Sequence, residues 1–355
     1  MIRVLLVDDS PLTLHILQKL LAKSPDIEVV GTAADGRQAL DLLPTLHPDI
    51  ICTDMHMPEM TGLDLTRAVM TTNPLPILVV SVSVEPDSPN IFRALEAGAV
   101  DVFLKPRDIL GSDQERITRE LASKIRIVAG VHVFRKRDAA AAPRPPAPIV
   151  PRQGPMQIIV IGASTGGPQA LRAVFSSLPG SFPMPVVCVQ HIGEDFMDSL
   201  VAWLAETSPL PVRKAAQGEV PRGGVVYLAP EKTHLEFDQL GRFDLSDAPP
   251  YSGHRPSVTV TMRSAAHRFG ARTVGVLLTG MGRDGADGMA DIAAAGGLTI
   301  AQDEASSVVF GMPREAQALG AVQHVLGIEQ IAPTLASLWE SHNGAGLALP
   351  GMEAR

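Results

Sequence analysis

Apolar residues fall in short runs that alternate with stretches of helical spacing. In the first third of the chain, runs at 3–7 (RVLLV), 27–33, 49–53 (DIICT), 77–82 and 100–104 (VDVFL) have strand length. Between them the apolar spacing predicts helices near 11–23, 36–46, 61–72, 88–97 and 113–129. Five strands alternating with five helices imply a parallel, doubly wound sheet. Such sheets bind ligands beyond the carboxyl ends of their strands, near the topological switch point.

The same alternation resumes after residue 156. A strand (MQIIVIGA) runs into a Gly-rich turn, and further strands are predicted at 185–190, 225–229, 233–237, 242–245 and 273–279. Helices are predicted at 167–177, 196–206, 256–269, 285–295 and 313–319. The stretch 212–255 is rich in short strands and turns, which implies a β-hairpin insertion in an α/β core. Between the two halves, 138–155 (DAAAAPRPPAPIVPRQGP) is Ala/Pro-rich and aperiodic. Proline removes backbone donors and favours extended chain, so this segment reads as an interdomain linker rather than a Pro-rich recognition segment. The expected division is 1–125, a linker at 126–156, a second domain at 157–342 and a disordered tail at 343–355. No internal repeat is present.

Composition narrows the class. The chain has 355 residues, 45% hydrophobic and only 4% aromatic, so its cores rest on Val, Leu, Ile, Ala and Met. A net charge of -8 disfavours non-specific binding to nucleic acid or to anionic membrane. Cys52 and Cys188 each sit inside an apolar run and read as small core hydrophobes, not a disulfide. The N-terminal apolar run is too short for a signal peptide, and none reaches the ~18 residues a membrane span needs. A soluble, cytoplasmic protein is expected.

The ends of the first-domain strands carry chemistry. Asp8 and Asp9 follow the first strand and Asp54 follows the third. On neighbouring strands these carboxylates converge, and their repulsion calls for a cation, for which an all-oxygen set favours Mg2+. A carboxylate held there can attack a phosphoryl group. Lys105, after the fifth strand and before Pro106, can balance charge on the phosphoryl oxygens, and Ser81 at the end of the fourth can donate a hydroxyl hydrogen bond.

Together, DD after strand one, D-x-x-M-P after strand three, Ser after strand four and Lys-Pro after strand five resemble the response-regulator receiver domain over residues 1 to about 125. The resemblance implies a flavodoxin-like sheet of order 2-1-3-4-5. It implies Asp54 as phospho-acceptor, with Asp8, Asp9 and the His56 carbonyl arranging Mg2+, and Ser81 with Lys105 as the switch pair. Phe103 takes the usual switch-aromatic position, and Val82 stands where a smaller residue is usual.

In the second half, Gly162-Ala163-Ser164-Thr165-Gly166 is a G-x-S-x-G turn between a strand and a helix, which can expose the serine. The competing readings are a tight turn and a dinucleotide-binding turn. The latter expects an acidic residue after the next strand, where this chain has His191. A histidine there can act as general base toward Ser164. Farther on, VLLTGMGRDGADGM supplies Asp284 and Asp287, either of which can orient the imidazole, and turn amides that can stabilise an oxyanion.

The order Ser…His…Asp departs from the α/β-hydrolase order. GASTGGP, VQH, RPSV, LLTGMG-x-DG and ASSVVFGMPREA instead resemble the chemotaxis protein-glutamate methylesterase family over about 157–335. That resemblance implies Ser164 as nucleophile, His191 as base, Asp284 as orienting acid, Thr165 as support for His191, and the Met281 amide as oxyanion donor. It further implies methyl-ester hydrolysis and glutamine deamidation on chemoreceptor cytoplasmic helices, with no metal at that site. A histidine kinase would be phosphodonor to a monomer whose receiver restrains the esterase. Two other classes are a non-catalytic adaptor or phosphate sink, and a transcriptional regulator, which the acidic, strand-rich second half disfavours. Thr259 stands where the family commonly has Asp, which points to altered substrate-groove or interdomain contacts.

Overall fold

A computed structural model of the chain describes residues 1–81, 89–105, 114–131, 156–193 and 196–343. Residues 132–155 of the expected linker at 126–156, residues 344–355 of the expected tail, and Val82 lie outside the described residues. The chain divides into two compact units, Met1–Ala140 with Ile192–Trp203, and Ala141–His191 with Leu204–Arg355.

In the first third, β1 (Ile2–Val7), α1 (Pro11–Leu21), β2 (Ile27–Ala33), α2 (Gly36–Leu46), β3 (Ile50–Thr53), α3 (Gly62–Thr72), β4 (Ile77–Ser81), α4 (Pro89–Ala97), β5 (Asp101–Leu104) and α5 (Gln114–Ala129) alternate as expected. The sheet order is β2-β1-β3-β4-β5, parallel throughout. Val4, Leu5, Ile50, Ile51, Leu78 and Val79 are fully buried, because helices on both faces leave a parallel sheet no wet side. Local chemistry starts the helices. The Ser10 hydroxyl accepts from the Thr13 amide with Pro11 at the first helical position, and Asp35 and Thr61 cap α2 and α3 in the same way.

The second part contains β6 (Ile158–Ala163), α6 (Gly167–Ser177), β7 (Val186–Gln190), α7 (Met197–Ala205), β8 (Val212–Lys214), β9 (Val226–Leu228), β10 (His234–Phe237), β11 (Phe243–Ser246), α8 (Val258–Phe269), β12 (Thr273–Leu277), α9 (Ala286–Ala294), β13 (Leu298–Gln302), α10 (Met312–Ala318), β14 (His324–Leu326) and α11 (Ile328–Asn343). Seven parallel strands are ordered β14-β13-β12-β6-β7-β9-β8, and β10 and β11 form a separate antiparallel hairpin. The expected doubly wound sheet with a hairpin insertion is present. The strands wind outward in both directions from β6 and β12, so the switch point lies at their carboxyl ends. The hairpin packs by Phe237 and Phe243 onto Tyr227 and the face of α8.

The apolar pattern did not reveal β13, β14 and α11. In β13, Thr299 and Gln302 interrupt the apolar run, yet both are buried because tertiary partners satisfy them. The Gln302 amide accepts from the Thr279 N–H and donates to the Ser306 carbonyl. β14 is a three-residue, half-exposed edge strand, and α11 contains Pro333. Both cysteines are buried and unbridged. Burial pushes the Cys52 thiol up to about 12 and raises Cys188 as well, as inert core thiols require. Among the described residues, no helix is long and apolar enough to cross a membrane.

β6 is the centre of the second core. Ile161 is fully buried there. Ile161→Ala is expected to cost about 2–5 kcal/mol of stability through lost contacts and a residual cavity, read by chemical denaturation.

Candidate functional sites

Strand register assembles the acidic pocket. Val7 pairs with Thr53, so the residues after them, Asp8 and Asp54, end neighbouring strands. The Asp54 amide donates to the Val7 carbonyl, and the Lys105 amide donates to the Ser81 carbonyl. Lys105 Nζ lies 2.6 Å from Asp8 Oδ2 and 3.1 Å from Asp54 Oδ1, with all three side chains buried. Burial raises the Asp54 carboxyl above its ordinary range; Lys105 opposes the shift and Asp8 reinforces it.

Carboxylate oxygens of Asp8, Asp9 and Asp54 come within 4.8 Å of one another. Among the described residues, these three carboxylates with the Lys105 ammonium leave net negative charge around an all-oxygen donor set, which fits a hard divalent cation. His56 is exposed two positions beyond Asp54. Ser81 is buried at the end of β4, and the Phe103 side chain is buried in β5.

The second site lies at the switch point. Ala163 pairs with Gln190, placing Ser164 and His191 next to each other beyond the ends of β6 and β7. The Gln190 side-chain amide donates to the carbonyls of both Ser164 and His191, fastening the two strand ends together. The turn needs its glycines. Gly166 has φ +74, and a Cβ on Gly280, beyond β12, would come 2.7 Å from Ser164 Cβ. The Thr279 hydroxyl donates to the Thr165 carbonyl and accepts from the Val309 amide, tying the serine turn to the glycine turn.

His191 Nε2 is 2.9 Å from Asp284 Oδ2. With the carboxylate ionised, Nε2 carries the proton and Nδ1 is left as the basic nitrogen. Nδ1 is buried and has no hydrogen-bond partner among the described residues. No hydrogen bond joins Ser164 Oγ to His191 among those residues; such contacts often tighten only with substrate bound. Of the two acidic candidates, Asp284 alone reaches the imidazole. Asp287 pairs with Arg283 at 2.8 Å instead.

Asp284 is held on every side. Oδ1 accepts from the Ser257 hydroxyl at 2.7 Å and from the Thr259 and Gly285 amides at 3.0 Å each. Oδ2 accepts from the Val258 amide at 2.8 Å as well as from His191. Ser257, Val258 and Thr259 are the N-cap and first residues of α8, whose positive dipole end favours a carboxylate. Burial by itself would raise the Asp284 carboxyl. The His191 contact and the Thr259 and Ser257 hydrogen bonds outweigh it, and the net shift is downward.

Sequence reasoning missed several of these supports. Ser257 is visible as a cap residue before a helical run, but its bond to Asp284 spans distant segments. His234 lies in β10 with 1% of its surface exposed, accepting from the Ser257 amide at Nδ1 and facing the Pro249 carbonyl with Nε2 at 3.2 Å. Nothing in its local pattern marks it. The expectation for Thr259 is corrected: it is fully buried, and its hydroxyl accepts from the Gly285 amide at 2.7 Å, so its side chain faces no groove. Thr165 is buried, with no hydrogen bond from its hydroxyl to His191 among the described residues. The Met281 amide donates to no acceptor among those residues, in a turn whose side chain is 48% exposed.

An acidic pocket on one parallel sheet and a serine, histidine and aspartate at the switch point of another define a class: a receiver-type domain followed by a hydrolase-type α/β domain. Residues 4–111 match the response regulator receiver domain, and residues 159–335 match the CheB methylesterase model. The chain is 42% identical over 344 residues to a protein-glutamate methylesterase/protein-glutamine glutaminase of Nitrosospira multiformis, covering 95% of this chain and 97% of that one. It is 44% identical over 348 residues to a second protein of that description from Methanospirillum hungatei, covering 96% and 99%. The crystal structure of the Thermotoga maritima CheB methylesterase catalytic domain superposes with a TM-score of 0.51 at 40% identity, covering 52% of this chain and 98% of that one. The chain belongs to the CheB methylesterase family, with a receiver domain in front.

The depressed Asp284 carboxyl has a pH signature. Its folded pKa lies below the unfolded value near 4, so the ionised group stabilises the fold above about pH 4. That stabilisation is lost as pH falls toward the folded pKa. Asp284→Asn is expected to flatten this part of the acid-unfolding curve relative to wild type, read by circular dichroism below about pH 4.

Proposed function

We propose that this chain hydrolyses glutamate γ-methyl esters on the cytoplasmic helices of chemoreceptors, under control of phosphorylation at Asp54. The carrying observation is the 2.9 Å contact of His191 Nε2 with a buried, fully hydrogen-bonded Asp284, one strand end away from Ser164. It supports a single imidazole tautomer with its basic nitrogen available to the serine.

In this reading Ser164 Oγ attacks the ester carbonyl carbon while His191 Nδ1 takes its proton. The Met281 amide donates to the oxygen that becomes negative. The carbonyl re-forms as the methoxy oxygen leaves with the proton from His191, giving methanol and an acyl-serine. Water, deprotonated by His191, then releases the γ-carboxylate and regenerates the serine. A glutamine side chain follows the same course with ammonia as leaving group. Asp284 remains ionised throughout and stabilises the imidazolium. Thr165 supports the His191 side of the site by packing.

In the first domain, Asp54 attacks the phosphoryl group of a histidine-kinase donor to give an aspartyl-phosphate. Asp8, Asp9, Asp54 and the His56 carbonyl would hold Mg2+, which when bound offsets charge on the phosphoryl oxygens. Lys105 contributes a second positive charge, and Ser81 reports the phosphoryl group by hydrogen bonding. The domains are 1–125 and 157–342, joined by 126–156, in a cytoplasmic monomer.

Methanol release from methylated receptor, with and without a small phosphodonor, tests the reading. Ser164→Ala is expected to lower the rate by at least about 10³-fold while Asp54 is still phosphorylated. Asp54→Asn is expected to retain basal hydrolysis and lose stimulation by the donor. Full hydrolysis by the Ser164→Ala protein would overturn Ser164 as nucleophile, and absence of hydrolysis by the wild type would favour the adaptor reading.

A further inference from the structure

One aromatic side chain at the second site has no role in the chemistry above. The His254 ring lies flat on the His191 ring, with centroids 3.9 Å apart and planes inclined by 4°. His254 belongs to the segment that leads into α8, three residues before Ser257.

That placement is built. Tyr251 and His254 exchange backbone hydrogen bonds across Ser252 and Gly253, at 3.1 Å and 2.9 Å. Both intervening residues have positive φ, +51 at Ser252 and +85 at Gly253, the conformation of a two-residue type I′ turn. Positive φ is unfavourable for serine, and such strain persists only where the surroundings impose it. Here the surroundings are specific. The Arg263 guanidinium sits 5.4 Å from the centroid of the Tyr251 ring, and the Tyr251 hydroxyl points to Asp287. Past the turn, Ser257, Val258 and Thr259 bind the Asp284 carboxylate. One short segment therefore holds the carboxylate at the edge of the His191 ring and lays a second ring on its face.

An imidazole hydrogen-bonded through Nε2 alone can still rotate about that bond, sweeping Nδ1 away from the serine. A flat partner on one face opposes the rotation. We propose that His254 is a positioning residue that fixes the plane of the His191 ring, keeping Nδ1 directed at Ser164. Its own chemistry fits a passive role: burial, and then the neighbouring His191, lower its pKa to about 4, so it lies uncharged against the base at neutral pH. A neutral ring can lie flat there, whereas two cations could not share that spacing.

This inference rests on the hydrolase reading, and its test separates the two. Full-length wild type, His254→Phe, His254→Leu, His254→Ala and Ser164→Ala proteins are compared for methanol release from methylated receptor, and for the rate at which a fluorophosphonate labels Ser164. Melting temperatures verify folding. Loss of the ring is expected to misdirect the base, so His254→Ala and His254→Leu lower kcat and the labelling rate about tenfold or more. KM stays within about twofold, because substrate binding is untouched. His254→Phe, which keeps a flat face and has no titratable nitrogen, restores both rates to within about threefold of wild type. If the Ala protein does not fold, the Phe–Leu pair decides. Leu or Ala proteins as fast as wild type would overturn the inference, and so would Phe as slow as Leu. A wild type that releases no methanol, or a Ser164→Ala protein that releases as much, would overturn the hydrolase reading itself.

Discussion

The buried carboxylate of Asp284 is the group on which the second domain's site turns. An ionised carboxylate away from water is costly unless its oxygens are filled by donors. Here Oδ1 and Oδ2 take a hydroxyl, three backbone amides and the His191 ring. The same bonds cap the first turn of α8, so the helix start and the charged group satisfy each other. Each participant is thereby committed. α8 must begin at Ser257, His191 must present Nε2, and the glycine turn after β12 must bring Asp284 under the helix.

The first domain uses the opposite arrangement. Asp8 and Asp54 share the Lys105 ammonium, Asp9 lies beside them, and among the described residues the three carboxylates remain under-neutralised. Asp54 is pushed toward its neutral form by burial and by Asp8, where Asp284 is pulled toward its charged form. A fully satisfied carboxylate suits a fixed orienting group. An under-satisfied one suits a pocket that gains stability when a cation and a phosphoryl group enter. The same residue type thus serves two purposes through its neighbours alone.

Parallel sheets make both arrangements possible. Every strand ends at the same edge, so residues far apart in the chain meet there when their strands are neighbours. Register then sets the distances. Val7 against Thr53 brings Asp8 to Asp54, and Ala163 against Gln190 brings Ser164 to His191. A one-residue slip in either pair would turn the relevant side chains to the other face.

Much of this was legible beforehand. The alternation of apolar runs and helical spacing yielded the strand–helix order of the first domain to within a residue or two. Asp8, Asp9, Asp54 and Lys105, and Ser164 with His191, could be named because each follows a strand, and strand ends are local signals. β13, β14 and α11 escaped for local reasons: buried polar residues, an edge strand and an internal proline. The supports of the site escaped for a nonlocal one. His234, Ser257, Gln190 and His254 act through hydrogen bonds or ring contacts between segments that the sequence does not set side by side. Local sequence determined the elements and the chemistry at their ends, because helix caps, strands and turns depend on near neighbours. The residues by themselves left Asp284 and Asp287 open and only the resemblance favoured Asp284; the tertiary structure brings Asp284 to His191, pairs Asp287 with Arg283, and makes Thr259 an interior residue. These outcomes depend on which amides of α8 arrive at which carboxylate, and that is set only when the sheet, the hairpin and the helix are packed together.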